Sequence, residues 1–351
     1  MTSKLDYFWH KKTLLSFFAI ICIVSIHNSA TSQYAVQTDF LTQTTWFIRN
    51  FFSYGLGAIA VPCFFFLSGF TLFRNYQPKK YPQKLRSRLH TLVFPYLLWN
   101  TVSLFFVILC TYTPIVNFIS GRETFVPSFS NFIEGILLYK YNFQFWFLYD
   151  LIFYVLLTPI IHLLLSHKSL GLIACLGALF LPLFSSSFLH LHLSFTVFYL
   201  LGCFCGKHYL RQFAKPAAKP PALFCTLIAI CLLTLKCLTV YQVITLPLIT
   251  SQILLVCLLL SFWFASDLFL PKLKPLRFTR EFFPIYILHT YFLAVIVKLI
   301  YLFGPENSAM LLFNEIFSTL FTIIITATLA VFWHQKLPRS YYLAFGGKKP
   351  N

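Results

Sequence analysis

Apolar residues occur in long uninterrupted runs along this chain, and polar residues are confined to the short connections between them. Ten of these runs have close to the roughly 20 residues that a helix needs to cross a hydrocarbon core of about 30 Å. They cover residues 13–30, 53–73, 89–112, 145–166, 169–187, 193–210, 221–241, 248–270, 283–303 and 313–335. The pattern predicts an all-α fold: a polytopic membrane helix bundle of about ten transmembrane helices, with a single membrane-embedded domain over residues 1–351.

The connections between the runs differ in charge. Of the 27 Lys and Arg residues, 22 lie in every second connection or in the terminal segments on the same side. Because Lys and Arg are retained on the cytoplasmic side during insertion, both termini are predicted to be cytoplasmic. The net charge of +18 therefore reflects topology, and without a basic domain it gives no support to nucleic-acid binding. Cations at one membrane surface do suit anionic membrane lipids or a soluble anionic ligand.

Composition excludes two further classes. With 58% hydrophobic and 10% charged residues, the chain has no stretch that predicts a separate soluble domain. All ten cysteines lie within predicted spans, where free Cys behaves as a small apolar residue, so no disulfide framework is expected. No metal site is expected either, because Cys203 and Cys205, two residues apart, point to different sides of a helix.

Ionisable side chains inside the apolar runs are candidates for chemistry, because they are costly in hydrocarbon. His27 lies near the outer end of the first run, about 15 residues or roughly 22 Å along the helix from Lys12. Asp150 lies about one turn inside the outer end of the fourth run, and antiparallel helices would place it at a similar depth. A carboxylate there can hold an imidazole in one tautomer, as a base that activates a hydroxyl requires. A purely structural histidine and aspartate explain the same residues equally well.

A second group of candidates is predicted near the cytoplasmic surface. In VPCFFFLSGFTLFRNY, the pair Ser68-Gly69 marks a place where a span breaks or packs closely against another backbone. Arg74, Arg86 and Arg88 belong to the basic connection that follows, which suits the phosphates of a nucleotide cofactor, although topology alone also places cations there. His289 lies about two turns inside the cytoplasmic end of the ninth run, deep enough to line a cavity.

Five segments, in this order and with this spacing, resemble the acyltransferase type 3 family of integral membrane acyltransferases, which often modify bacterial surface polysaccharides. The segments are FFAIICIVSIH, PCFFFLSGF, the basic connection leading to FPYLLWN, WFLYDLIFYVLLTP and FFPIYILH, and together they cover residues 14–293. The resemblance implies ten spans. It also implies transfer of an acyl group, most often acetyl from cytoplasmic acetyl-CoA, to a hydroxyl of a glycan at or beyond the outer face.

The resemblance also implies roles for individual residues. His27 matches the family's first-span histidine, its leading catalytic candidate. Family members commonly carry Arg eleven residues earlier, where this chain has Ser16, and Lys12 one turn before it on the same face is the candidate replacement. The predicted catalytic residues are therefore His27 and Asp150. The predicted donor-binding residues are Lys12, Ser68, Arg74, Arg86, Arg88 and His289.

The predicted partners are acyl-CoA as cosubstrate, an extracytoplasmic glycan acceptor and the lipids of a bacterial inner membrane, and the sequence leaves a homo-oligomer open. Two other classes of protein remain as alternatives. A polytopic transporter or exporter of a polysaccharide precursor or small solute also has many spans and buried polar residues, but inverted repeats are not evident. A glycan polymerase or ligase usually has a larger charged outer loop than residues 113–144.

Overall fold

The computed structural model describes residues 4–34, 39–113, 124–184 and 190–346. Within these residues every regular element is helical, which confirms the all-α prediction. The α-helices are α1 (Lys4–Ile26), α2 (Phe40–Arg49), α3 (Ala60–Phe73), α4 (Tyr81–Arg88), α5 (Phe94–Thr111), α6 (Phe129–Leu137), α7 (Trp146–Leu156), α8 (Thr158–Leu164), α9 (Lys168–Ala178), α10 (Thr196–His208), α11 (Leu210–Phe213), α12 (Lys219–Val240), α13 (Leu248–Ala265), α14 (Phe282–Phe303), α15 (Ser308–Lys336) and α16 (Pro338–Phe345).

The predicted count of ten spanning helices is not confirmed. Among the described residues, seven helical segments are long and apolar enough to cross a membrane, and the bent pair of α7 and α8 brings the count to at most eight. The seven segments are Asp6–Ser32, Phe40–Phe73, Pro78–Thr111, Lys219–Val240, Leu248–Leu268, Phe282–Phe303 and Ser308–Lys336. By length and composition these helices identify an integral multi-pass membrane protein.

The fifth and sixth predicted spans are not confirmed, because the structure has short helices in these runs. Helix α9 has 11 residues and α10 has 13, which correspond to about 16 and 20 Å, less than the apolar thickness of a bilayer. The apolar run containing α9 continues, but the helix gives way to a 3₁₀ turn at Leu181–Leu183. Since these two helices are consecutive, omitting both leaves the predicted side of every other connection unchanged, and cytoplasmic termini stay a prediction.

The fourth predicted span is broken. Helices α7 and α8 are bent by 65° where they meet. The second residue of α8 is Pro159, which lacks the backbone N–H needed to continue the hydrogen bonds of α7. The sequence segment WFLYDLIFYVLLTP is therefore a helix that ends at its own proline rather than one straight span.

The contacts divide the chain into two compact units whose segments alternate along the sequence. The first unit contains Met1–Asn75, His167–Leu183 and Ser194–Phe332, and the second contains Tyr76–Ser166, Phe184–Leu193 and Trp333–Asn351. The first unit therefore holds α1–α3 and α9–α14 with most of α15. The second holds α4–α8 and α16.

Close packing of α3 against α10 organises the first unit. A Cβ atom added to Gly69 would lie 2.4 Å from the carbonyl oxygen of Tyr199, and one added to Gly202 would lie 2.1 Å from that of Phe66. Only glycine permits backbones to approach this closely. Of the two alternatives predicted for the Ser68-Gly69 pair, a break or close packing, the structure shows close packing at Gly69.

Candidate active site

Two histidines that the sequence assigns to different roles lie side by side in the first unit. Helix α1 ends at Ile26, and His27 occupies the turn that follows. The centroid of its ring is 5.3 Å from that of His289 on α14, with the ring planes tilted by 37°. The structure thus brings a predicted catalytic residue next to a predicted donor-binding residue.

The contacts of α1 show its direction relative to α14. The rings of Phe17 and Phe278, which lies just before α14, are 5.4 Å apart, and ten residues further along α1 His27 meets His289, so α1 and α14 run parallel. The first candidate span is Asp6–Ser32, and His27 lies towards its end. Its place near the outer membrane surface stays a prediction.

Hydrogen bonds determine the tautomer of His289. Its Nδ1 atom is 2.6 Å from the carbonyl oxygen of Tyr286 and 3.2 Å from that of Ile285. A carbonyl oxygen only accepts, so Nδ1 carries the proton and, in the neutral ring, Nε2 is an acceptor. This Nε2 atom is fully buried and has no hydrogen-bond partner within the described part of the chain. His289 therefore retains one unused acceptor close to His27.

The turn that carries His27 is held by its neighbour Asn28, which is 1% exposed. The Asn28 amide nitrogen is 2.9 Å from the carbonyl oxygen of Glu315 and from the hydroxyl oxygens of Ser318 and Thr319, all on α15. Its amide oxygen accepts from the backbone N–H of Ala30 at 2.8 Å. One side chain thus connects the end of α1 to α15 and limits the positions available to His27.

Helix α15, which Asn28 contacts, carries further buried polar atoms. Asn314 is fully buried and donates to the carbonyl oxygen of Val297 at 3.0 Å. Its side-chain oxygen, and Oε2 of the 4% exposed Glu315, have no hydrogen-bond partner among the residues described. Buried polar atoms are normally paired, and unpaired ones call for an explanation such as a bound polar group or water.

Two predicted donor-binding cations meet on one aromatic ring in the first unit. The Trp9 ring centroid is 5.0 Å from Nζ of Lys12 and 4.4 Å from Cζ of Arg74, which are cation–π contacts. Partial burial lowers the pKa of Arg74, although an arginine with an ordinary pKa above 12 stays protonated at neutral pH. The hydroxyl of Ser16 is buried without a partner in the described structure. The replacement of the family arginine by Lys12 stays a prediction.

A buried ion pair that the sequence analysis missed lies beside this cation site. Nζ of Lys11 is 2.5 Å from Oδ1 of Asp267, and both side chains are fully buried. Tyr7 donates to the same carboxylate, and the backbone N–H of Ala217 donates to its other oxygen at 2.9 Å. Lys11 also lies 4.4 Å from the ring centroid of Trp263. The available signal was the isolated Asp267 at the end of an apolar helix in a chain with only nine acidic residues.

Asp150 accepts a hydrogen bond from another residue of the second unit. Its Oδ2 atom accepts from the backbone N–H of His192 at 3.1 Å, and Nδ1 of the His192 ring is 3.4 Å from the same oxygen. His27 belongs to the other unit, so its pairing with Asp150 stays a prediction. Among the other predicted donor-binding residues, Ser68 is half-buried on α3, and on α4 Arg86 is exposed and Arg88 half-buried.

Comparisons with known proteins agree with the sequence segments. The model of the family described as "Acyltransferase domain" (Acyl_transf_3) matches residues 14–333, which is most of the chain. The chain is also 27% identical to the succinoglycan biosynthesis protein ExoH of Rhizobium meliloti (strain 1021) over 221 residues, which are 58% of this chain and 57% of that protein. No solved structure matches the chain significantly. The chain therefore belongs to the acyltransferase type 3 family.

Proposed function

We propose that this membrane acyltransferase moves an acyl group, with acetyl as the first choice, from cytoplasmic acyl-CoA to a hydroxyl of an extracytoplasmic or lipid-linked glycan. The observation that carries the proposal is the His27–His289 pair in an otherwise apolar bundle of this family. The relative whose name refers to succinoglycan biosynthesis supports a polysaccharide acceptor. The bacterial inner membrane is the compartment in which such a donor and such an acceptor meet.

The donor is proposed to enter from the side that carries the cations. Acyl-CoA is bulky and carries several phosphates, which Lys and Arg bind through charge-assisted hydrogen bonds. Lys12 and Arg74, gathered at Trp9, are the proposed contacts in the first unit. Arg86 and Arg88, on α4 of the second unit, stay predicted donor-binding residues.

In the proposed reaction His27 is the base. The imidazole takes the proton of the acceptor hydroxyl as its oxygen attacks the thioester carbonyl, so a C–O bond forms. The C–S bond then breaks, and the CoA sulfur leaves as a thiol after taking the proton back from His27. A covalent acyl-histidine intermediate is the variant of this mechanism in which His27 itself attacks the carbonyl.

His289 is proposed to position His27 and to hold its tautomer. Its Nδ1 proton is engaged by two backbone carbonyl groups, which leaves Nε2 as an acceptor beside His27. An acceptor next to one ring nitrogen of His27 favours a proton on that nitrogen and leaves the other free to act as base. This is the function that the sequence analysis assigned to Asp150.

The test uses purified protein in lipid nanodiscs with radiolabelled acetyl-CoA and oligosaccharides from the de-acylated surface polysaccharide of the host. His27→Ala is expected to lower acyl transfer by about 100-fold, the scale of general base catalysis. His10→Ala is the matched control, because His10 lies on the same helix and its ring contacts only the carbonyl oxygen of Leu270 among the hydrogen bonds described.

The same preparation separates transfer from transport. In sealed proteoliposomes the proposal requires CoA release that depends on His27 and labelled acyl groups on the oligosaccharide. Movement of acceptor across the membrane without CoA turnover would contradict the proposed transfer and favour a transporter. Normal acylation by His27→Ala would leave the transfer standing but would remove His27 as its base.

A further inference from the structure

An aromatic and polar surface in the second unit is formed by residues that have no part in the proposed binding of the acyl donor. Trp146 and Asp150 are one turn apart on α7, and the connection between α9 and α10 brings His192 onto both of them. The ring centroids of Trp146 and His192 are 4.3 Å apart. Asp150 is fully buried, whereas 39% of the His192 side chain is exposed. The partly exposed imidazole of His192 is thus packed against an aromatic ring and lies next to a buried carboxylate.

The carboxylate of Asp150 has free hydrogen-bonding capacity. Its Oδ2 atom accepts from the backbone N–H of His192, but Oδ1 is buried with no partner within the described residues. Nδ1 of His192 lies 3.4 Å from Oδ2 without the alignment of a hydrogen bond. Contacts of this kind are often loose in the absence of ligand and shorten when the ligand binds. The buried carboxylate can therefore still bond the His192 ring, and the exposed part of the imidazole is available to a ligand.

The rim of this surface is held in an uncommon backbone conformation. Tyr139 and His190 have φ angles of 51° and 57°, in the left-handed region that side chains other than glycine rarely adopt. The hydroxyl of Tyr139 donates to the carbonyl oxygen of His190 at 3.2 Å, which joins the two positions. Burial, with the nearby charge of Asp150, raises the pKa of Tyr139 to about 12. Backbone strain of this kind is concentrated at functional sites.

The charges of this surface favour a neutral polyhydroxyl ligand over an anion. Asp150 repels phosphate, and the nearby Lys140 is paired with Glu134 at 2.7 Å. A sugar has hydroxyl groups that both donate and accept hydrogen bonds and an apolar face that packs on an aromatic ring. Tyr149, whose ring centroid is 5.5 Å from that of Tyr139, extends the aromatic surface.

We propose that Tyr139, Trp146, Asp150 and His192 form a subsite for one sugar residue of the acceptor glycan. In this subsite His192 bonds a sugar hydroxyl, Asp150 keeps the imidazole in position, and the Trp146 ring packs against the imidazole. This inference deepens the proposed function and rests on it, because it assumes that the acceptor is a glycan on the extracytoplasmic side, where the predicted topology puts the start of α7 and the segment before α10.

The test is titration calorimetry of the full-length protein in nanodiscs with oligosaccharides cut from the host's de-acylated surface polysaccharide. His192→Phe keeps a ring against Trp146 and keeps the backbone N–H that Asp150 accepts, but removes both ring nitrogens. It is expected to weaken oligosaccharide binding, and to raise the acceptor KM, by about tenfold, as the loss of one hydrogen bond predicts. His192→Gln, which keeps a polar side chain, should recover part of that loss.

Hydrolysis of acetyl-CoA separates a specific loss of acceptor binding from a damaged fold. Acetyl-CoA hydrolysis without acceptor should be unchanged in His192→Phe, whereas a damaged fold would lower it together with binding. Phe129→Ala is the matched control, since this aromatic residue at the start of α6 is 83% exposed. It should leave binding and hydrolysis unchanged.

The inference and the proposed function fail in different ways. If the wild-type protein binds the oligosaccharide but neither hydrolyses nor transfers the acyl group, the proposed function is wrong, and a loss of binding in His192→Phe still supports the subsite. If His192→Phe and Trp146→Ala both bind the oligosaccharide as tightly as the wild type, the subsite is overturned even when acyl transfer is normal. Should Trp146→Ala fail to fold, Trp146→Leu replaces it with the same criterion.

Discussion

The neighbouring residues Lys11 and Lys12 are expected to respond oppositely to the same substitution. Lys11 is fully buried in an ion pair with Asp267, whereas Lys12 lies over the ring of Trp9. Removing one partner of a buried pair costs about 3–5 kcal/mol because the other charge is left uncompensated. In Lys11→Met the carboxylate keeps its bonds from Tyr7 and from the backbone of Ala217, so we expect a loss of about 3 kcal/mol, at the lower end of that range.

Lys12→Met has a smaller expected cost. It removes one cation–π contact, worth about 0.5–1 kcal/mol at a partly exposed site. The two variants have the same change in charge and nearly the same position, so their difference reports burial and pairing. Midpoints of thermal unfolding in one detergent, followed by tryptophan fluorescence, should shift at least three times as far for Lys11→Met as for Lys12→Met. The apparent KM for acetyl-CoA should rise in Lys12→Met, provided that Lys12 contacts the donor.

The double variant Lys11→Met/Asp267→Asn tests the origin of the loss. If the uncompensated charge is the cause, removing both charges should destabilise the protein less than the sum of the single variants, with a coupling energy of about 1–3 kcal/mol. Equal shifts for Lys11→Met and Lys12→Met, or strict additivity in the double variant, would refute the reasoning from burial.

Three further predictions follow from the same structure. Asn28→Ala should lower acyl transfer by at least tenfold, because Asn28 holds the His27 turn on α15. Ser32→Ala, which changes an exposed residue in the next turn, should leave the rate unchanged. Equal rates of the two variants in single-turnover assays would contradict this. If Asp150 acts with His192 and not with His27, the losses of activity in Asp150→Asn and His27→Ala should multiply in the double variant, whereas a double variant no worse than His27→Ala supports the pairing expected from the sequence. Reporter fusions after Lys84, Lys219 and Lys274 should be cytoplasmic, and an external reporter at Lys219 would break the predicted topology.

Much of the architecture could be predicted from composition and pattern. Long apolar runs have few structures available in a membrane other than helices, so the all-α class and most spans follow directly. The predicted spans at α9 and α10 are not confirmed, because an apolar run shows that a segment can enter a membrane but does not determine where its helix ends. The family was also recognisable, since five segments kept their order and spacing.

The individual candidate residues were predictable, but their partners were not. His27, Asp150 and His289 were identified because ionisable side chains are rare in apolar runs. The sequence offers no comparable signal for which of them meet, and it left Asp267 and His192 without a role.

The partners were decided by tertiary packing. Lys11 and Asp267 are 256 positions apart, and Asp150 and His192 are 42 apart. His27 meets His289 because α1 and α14 lie parallel in one particular register, in which Phe17 contacts Phe278 in the turn just before α14. Hydropathy depends on each residue and its local neighbours, so it determines that a helix forms in the membrane. The register between two helices depends on how their side chains interlock along the whole contact, and only the folded chain contains that information.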